Sequence, residues 1–503
     1  MMNGVYEQLT GNITEMLDQI KRDFGASNDL LIRELILADE KKTKVALVGI
    51  DGLINSELAH EFILHVLSID LSTVHVSLPD EQSALYDTLL NSRISMMDAN
   101  ESDDVTVIYD NILNGHVALF VDGVAKAMLF DCKGWASRGV SAPTTEKSLW
   151  GPKDSFVETI RSNTAMLRRR LRDPRLRFNA HIVGERSKTD VFVAYIDGLT
   201  NPEFVQLTNE RIKNIDIDGI TSSFELIKLI EDKHLTLLPR LIETERPDRV
   251  MHALTQGQVA IFVDGSPFAI LGPFHFTSAF SAIDDYYNDS VLATFKRVMR
   301  YIAYFSVVMI PGLYIALTSF HQEMIPTSLL ITVINQRASN PFSTLVEIMI
   351  IVILFEILRE ASLRKPDAIG DSMTLVGSLI IGQMIVESGL VSYAAIIVGA
   401  LTTISSFLLS SSRINTSARL FKVAFMFIGA WFGLYGLTLA FIVLITHLSS
   451  LTSMGQAYLA PVAPFNLSDQ KDQILRVPLQ WMKRRPKIFQ TKDMTRMSGG
   501  ESS

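Results

Sequence analysis

Residues 301–322 read YIAYFSVVMIPGLYIALTSFHQ, a run that contains no Asp, Glu, Lys or Arg. Its length matches the roughly 20 apolar residues a bilayer crossing needs. Upstream, as far as Lys296 and Arg297, charges recur every few residues, so this run marks where one kind of chain gives way to another. Uncharged stretches follow at 372–386, at 388–412 and at 423–468, the last interrupted only by His447. A further apolar segment, FSTLVEIMIIVILFEIL at 342–358, carries Glu347 and Glu356. Five such segments in succession exceed what the remaining residues could cover as a soluble core. The reading is a multi-pass α-helical membrane domain at 298–451. Within its first span Pro311-Gly312 frees a backbone carbonyl, and a kink or break is expected there.

Lysine and arginine placement orients the domain, because short cytoplasmic loops carry the excess. With five spans and the amino terminus inside, three clusters fall on one side: Lys296, Arg297 and Arg300; Arg359, Arg364 and Lys365; Arg413, Arg419 and Lys422. Lys483, Arg484, Arg485 and Lys487 of the tail would then lie outside. Three resolutions stay open: a re-entrant pair within 423–468, a partial crossing by IPTSLLITVI at 325–334, or an exceptional tail.

A chain of 503 residues is too long for one compact unit, and its mean hydropathy of +0.24 reflects apolar residues gathered in the second half. The net charge of -8 gives no reason to expect nucleic-acid binding. Cys132 is the sole cysteine, which excludes an intramolecular disulfide and reads as a buried thiol. The first thirty residues hold no apolar run of signal-peptide length, so the amino-terminal region is expected in the cytosol.

That region is internally duplicated. VALVGIDGLINSELAHEFIL at 45–64 matches VFVAYIDGLTNPEFVQLTNE at 191–210, and GHVALFVDGVAKAML at 115–129 matches GQVAIFVDGSPFAIL at 257–271. Order and spacing are both kept, so the fold class is an α/β soluble region of two related subdomains followed by the membrane domain. The expected divisions are an N-terminal segment at 1–35, subdomains at 36–135 and 136–297, the membrane domain, and a tail at 452–503. Asp122-Gly123 and Asp264-Gly265 read as tight hairpin turns. Ser155 to Glu158 has capping-box spacing and is expected to open a basic helix bearing Arg161, Arg168, Arg169, Arg170 and Arg172. Those arginines form either a solvated face or a dock for an acidic partner or the membrane surface. No phosphate-cradling loop occurs, His60 and His65 are spaced one residue too far apart for a zinc-protease helix, and no metal site or enzyme is expected.

The runs PGLYIALTSFHQEMIPTSLL (311–330), PTTEKSLWGPKDSFVETIRSNTAMLRRR (143–170), TERPDRV (244–250), FEILREASLRKPDAIGDSMTLVGSLIIGQMIVESGLVS (355–392) and YLAPVAPFNLSDQKDQILRVPLQWMKRRP (458–486) resemble the A subunits of spore germinant receptors, the GerA family of endospore-forming bacteria. The chain departs from the family pattern at Asn340-Pro341-Phe342-Ser343 and at Ser362. SNDLLIRELIL at 27–37 looks like the nutrient-receptor branch rather than the SpoVAF-like branch. The resemblance implies a homo-oligomer in the lipid of the spore inner membrane, acting with a transporter-like B subunit and a lipid-anchored C subunit. It also implies a cation-conducting path opened by nutrient binding, and no cofactor. The alternatives are a SpoVAF-like accessory ion channel and a secondary transporter.

Ionisable side chains inside apolar spans are expensive and so are functional candidates. In the five-span threading Glu323, Glu347 and Glu387 fall toward the outer side, as carboxylates do at cation-channel mouths. Glu347 has no basic residue within a turn of its own helix. Glu356, three residues before Arg359, reads as half of a structural ion pair. The two glutamates lie half a turn out of phase and cannot face one pore. Gly377, Ser378, Gly382, Gly389 and Gly399 permit close helix packing.

Overall fold

The computed structural model describes residues 9–497 except 26, 38–41, 56, most of 60–98, most of 135–149, 233–235, 339 and most of 365–386. His60, His65, Lys365, Gly377, Ser378, Gly382 and nearly all of the uncharged stretch 372–386 lie outside the described residues. The chain forms two units: one comprises 1–232, 241–273 and 483–503, the other 233–240 and 274–482.

The first unit is built from two copies of one topology. Copy one contains helix α1 (Ile13–Phe24), strands β1 (Leu30–Ile36), β2 (Lys44–Ile50) and β3 (Ala99–Ser102), helix α2 (Val105–Leu113), and strands β4 (His116–Val121) and β5 (Ala127–Asp131). Copy two contains α3 (Ile160–Arg170), β6 (Leu176–Val183), β7 (Thr189–Ile196), α4 (Pro202–Lys213), α5 (Ser223–Ile230), β8 (Ile242–Thr244), α6 (Pro247–Thr255), β9 (Val259–Val263) and β10 (Ala269–Gly272). The sheet orders are β1-β2-β4-β5-β3 and β6-β7-β9-β10-β8, so each strand of one copy has its counterpart in the other. The described strand pairs are antiparallel, with Phe120↔Ala127 closing the hairpin in copy one and Ile270↔Ile261 pairing in copy two. Valine, isoleucine and phenylalanine suit these pleated surfaces, and β4 and β9 are buried along their whole length.

The expected boundary at residue 36 moves. Strand β1 joins the first sheet, and Ile13, Met16, Leu17, Ile20 and Phe24 of α1 pack into its core, so a division at residue 36 would cut through copy one. The apolar residues of α1 recur three and four apart and place one face against the sheet, as an amphipathic helix must.

The Asp-Gly pairs do more than turn the chain. Gly123 and Gly265 adopt φ of 89° and 81°, which glycine reaches without strain, but each sits in a connection longer than two residues. Asp122 Oδ1 accepts from the amide of Ile13 at 3.1 Å, and Asp264 Oδ1 accepts from that of Ile160 at 3.0 Å. Each aspartate thus satisfies a free amide in the first turn of the helix that precedes its own sheet. The expected capping box is absent: α3 starts at Ile160 after Thr159, and Ser155 Oγ donates to the Glu245 carbonyl instead.

The second unit is helical. It contains α7 (Ser290–Ser319), α8 (Thr327–Arg337), α9 (Thr344–Arg364), α10 (Tyr393–Phe407) and α11 (Ser412–Ser450). Helix α7 runs through Pro311 without interruption. Helix α11 does not run straight. Gly433 adopts φ 58° and ψ -148°, and a Cβ on Gly436 would lie 3.3 Å from the Ile428 carbonyl oxygen, an approach no continuous helix allows. The arms 412–432 and 434–450 therefore fold back on one another. Their far ends meet one short segment: Ser417 Oγ donates to the Leu237 carbonyl, and His447 Nε2 lies 2.9 Å from Thr236 Oγ1.

Candidate functional site

Helix α7 packs against both arms of the α11 hairpin. A Cβ on Gly312 would lie 2.7 Å from the Phe425 carbonyl oxygen in one arm and 3.2 Å from Leu437 Cδ2 in the other. Gly429 meets the Gly312 carbonyl in return, so glycines at this crossing let the backbones touch. The hairpin tip lies at the carboxyl end of α7, where a Cβ on Gly433 would come within 2.9 Å of His321. Trp431, Phe432 and Tyr435 are exposed around that tip. Among the described residues, α7 and α11 are the helices long and apolar enough to cross a membrane, and α10 is a shorter apolar helix.

Glu347 is fully buried in this bundle. The sequence leaves it without a basic neighbour; the fold supplies one. Arg337, at the end of α8, brings Nε to 3.8 Å from Glu347 Oε2. Glu347 Oε1 accepts from Asn340 Nδ2 at 3.1 Å and from the backbone amide of Ser392, the residue that caps α10. Glu347 Oε2 and Thr344 Oγ1 are buried and make no hydrogen bond among the described residues. The end of α8, the connection that follows it and the cap of α10 thus meet at one carboxylate of α9 whose second oxygen is only loosely held. Glu323 and Glu387 are exposed, and Ser392 follows Glu387 closely in the chain.

Glu356 is half-exposed, with Arg359 Nη2 2.7 Å away on its own helix and Arg419 from α11 on its other side. At the start of α7, Arg297 is completely buried, its Nε 3.0 Å from Asp285 and its Nη2 3.7 Å from Asp472. Arg300 pairs with Asp285 at 2.8 Å. A charge that looked like a surface marker of orientation is the centre of an internal network.

The basic helix α3 also divides. Arg168 is not a surface contact: it is wholly buried, donates to both oxygens of Asp29 at 2.7 and 3.0 Å and to the Leu176 carbonyl at 2.8 Å, and lies 5.3 Å from the centre of the Phe178 ring. It joins copy two to copy one. Arg170 pairs with Asp154, and Arg161 lies 3.5 Å from Asp51 while remaining largely exposed. Arg169 and Arg172 are exposed. Periodicity could not separate these roles, because the partners Asp29 and Asp154 come from outside the helix.

The tail beyond residue 482 belongs to the first unit. Arg485 Nε donates to the Thr255 carbonyl at 3.0 Å, Lys492 N to the Leu199 carbonyl at 3.2 Å, and Asn201 Nδ2 to Gln490 Oε1 at 3.3 Å. These contacts fix the tail on copy two, a placement that charge counting alone did not reach.

Comparison with known proteins gives a consistent result. A family model described as Bacillus/Clostridium GerA spore germination protein matches residues 18–488. The chain is 33% identical to spore germination protein GerLA of Bacillus cereus, over 97% of this chain and 98% of that one. It is 33% identical to spore germination protein KA of Bacillus subtilis, over 97% of this chain and 88% of that one. A crystal structure of the N-terminal domain of the A subunit of the Bacillus megaterium spore germinant receptor GerK3 is 27% identical, covering 54% of this chain and 98% of that one, with a TM-score of 0.43.

Proposed function

Because the chain belongs to the GerA family of spore germination proteins and so has a role in germination, we propose that it is the A subunit of a nutrient germinant receptor. In this reading it oligomerises in the spore inner membrane, works with B and C subunits, and forms a ligand-gated cation path. The tail supports an even number of crossings: the helical unit leaves the first unit and residues 483–497 return to it, so both ends lie on one side. The α11 hairpin supplies the crossing that a five-span threading lacks. Its arms, at 1.5 Å per residue, extend roughly 25–30 Å each. The aromatic residues at its tip suit an outer interface, where indole and phenol rings settle.

The observation that carries the cation path is Glu347. A buried carboxylate costs several kcal/mol unless water, a cation or hydrogen-bond donors reach it. Here donors hold one oxygen, and Arg337 stands off the other at 3.8 Å. Glu347 is the site where a passing cation exchanges with the guanidinium, with Glu323 and Glu387 at the approach. Liposome flux with the receptor subunits tests this. Glu347→Gln is expected to keep assembly while lowering cation flux or changing selectivity, and Arg337→Gln to raise flux in the absence of nutrient. Normal flux and selectivity in a correctly assembled Glu347→Gln receptor would refute the assignment.

A further inference from the structure

Helix α11 ends at Ser450, yet the run without Asp, Glu, Lys or Arg to which it belongs continues to Ser468. These last residues are held beside the start of α7. Tyr458 lies on Phe276, whose ring meets Tyr304 edge-on with centroids 5.4 Å apart. Thr277 Oγ1 donates to the Ala460 carbonyl at 3.1 Å, and the Thr277 carbonyl accepts from Tyr301 Oη at 3.4 Å. Nearer the amino end of α7, Asp472 Oδ1 stands 3.7 Å from Arg297 Nη2, and Arg476 N donates to Thr294 Oγ1 at 2.9 Å. Residues 458–476 therefore follow α7 from the level of Tyr304 to that of Thr294, roughly 15 Å at 1.5 Å per residue. Tyr301 opens the charge-free run of α7, and the headgroup layer extends about 5–8 Å beyond the apolar core on each side. The segment thus straddles the edge of the core and the headgroup layer.

A segment in water would fold its large apolar side chains inward. Here Phe465, Leu467 and Trp481 are 72%, 71% and 69% exposed, and Val462, Leu475 and Leu479 are exposed as well. Apolar side chains gathered so closely on one short stretch mark a surface that something covers. Lys471 is exposed among them, and the chain passes from Met482 straight into Lys483 and Arg484, both exposed. We propose that residues 462–481 form a collar seated in the headgroup–acyl boundary of the inner leaflet. Indole rings settle at that depth, apolar side chains reach the acyl chains, and lysines meet anionic phosphates. Lipid is the occupant because the face continues an uncharged membrane run at the level where α7 enters the core. The collar also carries Asp472 and Arg476, which close on Arg297 and on the ring of Tyr286, so lipid held there acts on the foot of α7. The inference rests on the reading in which α7 crosses the membrane from the inner side, and not on the ion path.

The test places the full chain, in a Cys132→Ser background, in nanodiscs of phosphatidylcholine and phosphatidylglycerol. Leu467→Cys, Trp481→Cys and Val443→Cys are each labelled with an environment-sensitive fluorophore. All three side chains are exposed, so the variants should melt like the parent. Val443 lies in the second arm of α11, and its label is expected to be quenched by lipids carrying a nitroxide at mid-chain. The labels at 467 and 481 are expected to be quenched about twofold more by a nitroxide near the headgroup than by one at mid-chain, and to be shielded from iodide in the water. Iodide quenching as strong as in the unfolded chain, with Val443 still quenched from the lipid, overturns the collar and leaves the crossing intact. Shielding from iodide without quenching by either lipid assigns the face to a second copy or another subunit and overturns it too. A Val443 label that no lipid quenches removes the membrane reading and the collar with it.

Discussion

Arg168 and Cys132 show how burial changes the meaning of a residue. Arg168 is surrounded in sequence by other arginines, yet it alone is sealed between the two copies with Asp29. Removing one partner of a buried pair leaves the other charge without compensation, which costs about 3–5 kcal/mol. Arg168→Gln is therefore expected to lower the melting temperature sharply and Arg169→Gln hardly at all; equal effects would contradict the assigned role. Cys132 lies against Val117 and Phe130 in the first core and is fully buried. Burial pushes its thiol up to about 11. Since the thiolate is the nucleophile, only about one molecule in a thousand is reactive at pH 8. Alkylation of the folded chain is expected to be more than a hundredfold slower than of the unfolded chain. Rates within tenfold of each other would show that the thiol is accessible.

The α11 hairpin depends on a single backbone conformation. Gly433 reverses the chain with φ 58°, and it also has no room for a side chain beside Phe320 and His321. Gly389 has a similar φ of 67° but nothing within 4 Å of a Cβ built on it. Alanine at either site carries the left-handed strain, of order 1–2 kcal/mol, and only Gly433→Ala adds a collision. Gly433→Ala is expected to reduce the yield of folded, detergent-stable protein well below that of Gly389→Ala. Comparable yields would mean that the tip tolerates a side chain and that the turn is not set by packing. An aromatic and glycine cluster, GAWFGLYG at 429–436, was the signal available in the sequence, but an uncharged run does not announce a reversal when no polar loop interrupts it.

Across the whole molecule the tail is the decisive element. Its contacts with Leu199, Asn201 and Thr255 place it with the first unit. In a Cys132→Ser background, an impermeant thiol reagent applied to intact cells is expected to modify Tyr435→Cys at the hairpin tip and to spare Lys492→Cys, with both reacting after permeabilisation. Labelling of Lys492→Cys from outside would overturn the even number of crossings.

The paired IDGL and FVDG elements and the uncharged runs were enough to determine a duplicated α/β region followed by apolar helices, because strand alternation, turn chemistry and hydropathy are local properties of the chain. The partners were not local. Asp122 and Asp264 cap helices about a hundred residues earlier in the chain. Arg337 approaches Glu347 from a separate helix, and Arg168 finds Asp29 in the other copy. Which charge is sealed and where the chain turns back depend on groups brought together by packing. Only the tertiary structure decides them, because a buried charge must be matched wherever its partner lies in the sequence.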